Sequence, residues 1–136
     1  MAERIVQLKE EGNGEFKAKN TRRALELYSE AIALFESPGG EVDRGAQHRL
    51  RAEVLGNRCR CFMLLGRYGE ALEDAKQATC VDASYTKGFY RLALCQKELS
   101  DLAGAWESAT KAAALDPESA EIRALQETIH QLEGGG

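Results

Sequence analysis

The sequence predicts an all-α fold assembled from a repeated helix–turn–helix unit, and three observations carry that prediction. Only two prolines interrupt 136 residues, of which 43% are hydrophobic, so the chain can fold and can stay helical over most of its length. Small residues recur at a fixed interval: Ala71 and Ala105 stand 34 residues apart, and Ala24 precedes Ala71 by 47, one such interval plus 13. Short breaks, Lys19-Asn20, Gly66-Arg67 and Ser100-Asp101, fall at the same place in each unit and end one helix before the next begins.

Each element follows from aligning the units. Seven residues beyond Ala24, Ala71 and Ala105 come Ala31, Ala78 and Ala112, with Tyr28, Ala75 and Ala109 between them. Twelve residues upstream stand Gly12, Cys59 and Ala93, all small, and sixteen upstream stand Leu8, Leu55 and Phe89, all large and apolar. One helix therefore carries the large and small pair, and the next carries the alanines. Ser37-Pro38-Gly39-Gly40 reads as a loop, and the segment AQHRLRAEVL can extend the following helix backwards. After the third unit, Ile122, Leu125, Ile129 and Leu132 lie on one helical face. That pattern suits a terminal helix covering the open end of a stack of repeats.

Gly12-Asn13-Gly14 is the one place where local signals conflict. Gly-Asn-Gly alone reads as a turn, and each glycine costs a helix about 1 kcal/mol relative to alanine. The register resolves the conflict, because Gly12 occupies a column in which nothing larger than Cys59 appears.

Composition sets bounds on function. The length is that of one domain. No apolar run approaches the ~20 residues of a membrane span, and MAERIVQLKE lacks the basic-then-apolar order of a signal peptide. These features predict a soluble cytoplasmic protein, with the nucleus also open, and no membrane partner. The net charge of −4 argues against nucleic acid. Cys59 and Cys61 are two residues apart, which on a helix turns them about 200° from one another, away from any shared ligand. Cys59, Cys61, Cys80 and Cys95 are therefore read as free thiols of a reducing compartment, with no metal. His48 and His130 stand alone, and no phosphate loop, dinucleotide turn or catalytic triad appears. The expectation is a protein that is no enzyme and holds no cofactor.

In its 34-residue period and its small-residue columns the chain resembles the tetratricopeptide-repeat (TPR) family, and Pro117 falls where that family often has proline. The resemblance implies a right-handed α-solenoid of three repeats, 5–38, 52–85 and 86–119, with an insertion near 39–51. A capping helix at about 118–133 would complete a single domain, 1–133, before a flexible tail at 134–136. In such an array the first helix of each repeat lines the concave surface. At about 100° per residue, Lys9, Asn13 and Lys17 of the first repeat share that side with Glu53, Asn57 and Arg60 of the second. Lys87, Arg91 and Leu94 of the third join them. An acidic chain thus presents a basic groove, and lysine, arginine and amide side chains together suit carboxylates.

Five of these residues match the two-carboxylate clamp of TPR chaperone cofactors: Lys9 and Asn13 in KEEGN, Asn57 in LGNR, and Lys87 and Arg91 in TKGFYR. The clamp holds the Glu-Glu-Val-Asp C-termini of ninety- and seventy-kilodalton heat-shock chaperones. By that resemblance Lys9, Asn13 and Asn57 hold the terminal carboxylate, Lys87 the side chain of the last aspartate, and Arg91 the peptide just upstream. Phe16 is either an apolar floor for the ligand or part of the core. Arg60 either meets an acidic ligand residue or narrows the groove. Trp106 and the tyrosines are read as core. The chain is expected to act, as a monomer, as an adaptor or cochaperone module. The alternatives are a general TPR scaffold that binds an internal segment of its partner, and a targeting domain cut from a larger enzyme.

Overall fold

Three helices in this chain end where the backbone turns left-handed. Lys19, Gly66 and Ser100 adopt φ of 67°, 74° and 66°. At each, the amide of the next residue reaches back five residues: Asn20 to Glu15, Arg67 to Phe62 and Asp101 to Gln96, all at 2.8 Å. These are Schellman closures, which satisfy carbonyls that a helix end would otherwise leave bare. The same residues Asn20, Arg67 and Asp101 then serve as N-caps of the following helices, so one turn both stops a helix and starts the next. Asp101 Oδ1 accepts the Gly104 amide at 3.0 Å; Asn20 and Arg67 make no such cap bond.

The computed structural model describes residues 2–36 and 47–134, and among these it contains seven helices. They are α1 (Ala2–Lys17), α2 (Thr21–Phe35), α3 (His48–Leu64), α4 (Tyr68–Val81), α5 (Thr86–Glu98), α6 (Leu102–Leu115) and α7 (Ala120–Gly134). Three close pairs result, α1 with α2, α3 with α4 and α5 with α6; each packs on the next, and α7 lies against α6 and α5. Helices α1, α3 and α5 also touch in sequence along one side. The insertion expected near 39–51 falls partly outside the described residues, at 39–46; residues 48–51 form the first turn of α3. Of the expected tail 134–136, Gly134 closes α7 and the last two residues lie outside the described residues.

The aligned columns are the core. Ala24, Ala71, Ala105, Ala31, Ala78, Ala112, Ala75 and Ala109 are completely buried, and Tyr28 nearly so. Gly12 is small for a specific reason: a Cβ there would lie 2.6 Å from Tyr28 Cε1. The second and third units set Cys59 against Ala75 and Ala93 against Ala109, so the first unit moves the bulk from one helix to the other. Cys59 and Cys61 do face apart. Cys59 packs with Phe62, Ala71 and Cys95, whereas Cys61 belongs to the cluster around Tyr28 and Leu55. All four cysteines are free.

Two core expectations need correction. Trp106 is 41% exposed, because it follows the buried Ala105 on α6 and one residue turns the helix about 100° outward; its ring leans on His130, 6.5 Å away and tilted 47°. Leu132 is 55% exposed although Ile122, Leu125 and Ile129 of the same face are buried. Helix α7 outlasts the surface it covers. Of the tyrosines, Tyr28 and Tyr85 are buried, while Tyr68 and Tyr90 are half-buried.

Polar contacts tie the helices together both within and between pairs. Arg58 on α3 donates Nε and Nη2 to the buried carboxylate of Asp74 on α4, at 2.8 and 2.7 Å, and Nη1 to Ser29 on α2 at 3.3 Å. Arg49, in the first turn of α3, donates to Asp82 Oδ2 (2.6 Å) and Ser84 Oγ (3.0 Å) in the link between α4 and α5.

Candidate peptide-binding groove

The side shared by α1, α3 and α5 holds a cleft lined by Lys9, Asn13, Asn57, Lys87 and Arg91, with Phe16, Lys17, Tyr28, Glu53, Arg60 and Tyr85 completing its wall. Its volume is about 280 Å³, at the small end for a ligand site and suited to the last residues of a peptide. All five residues singled out from the sequence, together with Phe16 and Arg60, meet in this one place.

Hydrogen bonds inside the wall decide what each side chain offers. Asn13 Oδ1 accepts from Tyr28 Oη at 2.5 Å and from Asn57 Nδ2 at 3.1 Å. With its oxygen committed, Asn13 has only its NH₂ donors left for the cleft. Burial, and secondarily the neighbouring Cys61, pushes the Tyr28 hydroxyl up to about 12, so it remains protonated and keeps donating across the physiological range. Lys9 Nζ lies 3.3 Å from Glu53 Oε1, the single carboxylate of the wall. Lys87 is exposed and has no carboxylate partner among the described residues.

Arg91 lies deeper than its sequence position implied. It is 8% exposed, and its Nη1 donates to Tyr85 Oη at 3.3 Å. No carboxylate pairs with it among the described residues. Room for the guanidinium comes from Gly56, where a Cβ would stand 2.7 Å from Nη1. A buried cation without a counter-charge is costly, and an anion entering the cleft relieves that cost. Arg60 sits over the Phe16 ring with its guanidinium carbon 4.1 Å from the centroid. Partial burial, and then the charge of Arg91, lowers its affinity for a proton. Phe16 proves to be both things the sequence allowed, packed against the core of the first two pairs and lining the cleft.

Sequence reasoning missed three contributors: Tyr28, Tyr85 and Gly56. The tyrosines were expected in the core, and both are buried, but they also line the cleft, where their hydroxyls bond Asn13 and Arg91. Tyr28 did carry a signal, being the one bulky residue in a column otherwise filled by Ala75 and Ala109.

No family model matches the sequence. Among solved structures, the first TPR of Spaghetti (RPAP3), bound to the HSP90 peptide SRMEEVD, superposes with a TM-score of 0.84 at 21% identity. The match covers 98% of this chain and 96% of that one. The second TPR domain of human RPAP3, in complex with the HSP70 peptide SGPTIEEVD, gives 0.79 at 27% identity over 95% and 97% of the two chains. The chain is a TPR domain. Protein unc-45 homolog B of Xenopus tropicalis is 32% identical over 127 residues, 93% of this TPR domain. The domain spans only 12% of that relative's length. Among the described residues no helix is long and apolar enough to cross a membrane, and no cluster of three or more metal-ligating side chains occurs.

Proposed function

We propose that this TPR domain captures the acidic C-terminus of heat-shock chaperones of the Glu-Glu-Val-Asp type, acting as an adaptor or cochaperone module that catalyses nothing. The observation that carries the reading is the nearly buried Arg91, without a counter-charge among the described residues, in a cleft where Lys9 and Lys87 also converge. Lys9, Asn13 and Asn57 hold the terminal carboxylate, Lys87 the last aspartate side chain, and Arg91 the residues just upstream. Lys9 exchanges part of its attraction to Glu53 for the ligand. The three helix pairs act as three repeats of a right-handed solenoid, which sets the first helix of each pair on the concave side. Support comes from the two RPAP3 domains, whose peptides share the sequence EEVD.

A peptide held by two carboxylates and few apolar contacts binds with a Kd in the micromolar range, about −8 kcal/mol. The test is a fluorescence-anisotropy titration with an acidic peptide ending in Met-Glu-Glu-Val-Asp, carrying either a free or an amidated C-terminus. Micromolar binding is expected for the free acid. Amidation, or Lys87→Ala, is expected to weaken it at least tenfold, since charge-assisted bonds contribute about 1.5–3 kcal/mol each. Equal binding of both peptides would assign the groove to an internal segment of some partner instead.

A further inference from the structure

Beyond the carboxylate cleft the groove does not end. At the C-terminal turns of α1 and α3 a second hollow is lined by Phe16, Lys17, Lys19, Thr21, Arg60 and Leu64. It shares Phe16, Lys17 and Arg60 with the cleft, so the two are continuous. Leu64 there is 66% exposed. Neither Lys17, Lys19 nor Arg60 is paired with a carboxylate among the described residues. Three exposed cations elsewhere on this acidic chain do have partners nearby: Arg23 with Glu26, Arg67 with Glu70 and Lys111 with Glu107.

We propose that this hollow is a charge-selective subsite, which favours an acidic residue and disfavours a basic one in the ligand segment upstream of its acidic terminus. The inference rests on the peptide-binding reading above. A peptide whose last residue is held by Lys9, Asn13 and Asn57 must leave the cleft somewhere, and the second hollow gives it a continuous exit over Phe16 and Arg60. A cation on that path meets Arg60, Lys17 and Lys19 with no intervening carboxylate, while a carboxylate gains them as partners. The apolar faces of Phe16 and Leu64 accept an aliphatic neighbour in either case, so selection falls on charge. The two peptides bound by the RPAP3 domains differ in this respect. SRMEEVD carries an arginine before the shared end and SGPTIEEVD carries none, and the hollow favours the second kind.

The experiment uses three N-acetylated peptides, SRMEEVD, SAMEEVD and SEMEEVD, which differ at one position in steps of one charge. Titrations of the native domain at low salt are expected to rank affinity Glu over Ala over Arg, by about threefold per step, the scale of one partly exposed charge contact. In the Arg60→Gln, Lys17→Gln double variant the Glu-to-Arg spread is expected to shrink below about twofold. High salt should compress it likewise in the native domain. A flat ranking, or one that persists unchanged in the double variant, overturns the subsite. Amidated versions run alongside separate the two readings. If amidation leaves binding intact, the carboxylate clamp itself fails; if it abolishes binding while the ranking stays flat, only the subsite fails.

Discussion

Two glycines in mid-helix make room for two large side chains, and each choice has a measurable consequence. At Gly56 an added methyl would crowd only the tip of Arg91, which can swing aside, and would meet Tyr85 at an ordinary contact distance of 3.4 Å. The helix itself gains about 1 kcal/mol from alanine. Gly56→Ala is therefore expected to leave thermal stability level or slightly raised while weakening the acidic peptide about three- to tenfold. Unchanged affinity in the anisotropy assay would mean that Arg91 does not act from its observed position. At Gly12 the obstacle is the packed ring of Tyr28, which cannot move so cheaply. Gly12→Ala is expected to cost about 1–3 kcal/mol by overpacking. Combining it with Tyr28→Ala reproduces the small–small pairing of Ala93 with Ala109, so the double variant should be more stable than the sum of the singles. A double-mutant cycle from urea midpoints gives the coupling directly. The peptide affinity of that variant should still fall, since Asn13 loses the hydroxyl that orients its amide.

Among the elements, the turns inside each pair share one closure but not one residue. Gly66 adopts φ > 0 without strain, whereas Lys19 and Ser100 pay for the same conformation, which disfavours any residue with a Cβ by about 1 kcal/mol. Replacing either with glycine is expected to stabilise the fold by about 0.5–1 kcal/mol, read as a rise in urea midpoint with unchanged slope. Ser100→Gly is the cleaner test, because Lys19 also lines the groove. Helix α7 is different in kind: it buries Ile122, Leu125 and Ile129 and closes the apolar flank of α6, whereas Leu132 extends past any partner.

At the scale of the whole molecule, pairs are joined by ion pairs as well as by apolar contact, and one joint titrates. Hydrogen bonds from Ser84 and Arg49 hold the Asp82 carboxyl down to about 2, below its ordinary value near 4. A depressed carboxylate stabilises the folded state above its unfolded pKa, and that contribution is lost as pH falls through the folded value. The loss therefore begins below about pH 5 and is complete only about one pH unit below the folded value. Asp82→Asn is expected to lower the urea midpoint at pH 5 and to leave little difference from the native domain near pH 2. An equal difference at both pH values would place the effect of Asp82 elsewhere than in its charge.

What the sequence alone determined was periodic. A 34-residue interval and the columns of alanine specify helix pairs, because small residues mark where helices approach. Rotation of about 100° per residue then placed Lys9, Asn13, Asn57, Lys87 and Arg91 on one side, and these side chains do line one cleft. The tertiary structure alone decided which atoms face the ligand. Asn13 turns its oxygen inward because Tyr28, fifteen residues away, and Asn57, on another helix, both donate to it. Arg91 sinks to the cleft floor because Gly56 leaves space there. Trp106 and Leu132 stay partly exposed for the converse reason, that the neighbours they have among the described residues cover them only in part. Periodicity reports the direction of a side chain from its own helix axis; depth, hydrogen-bond polarity and cover depend on what another helix brings to the same point.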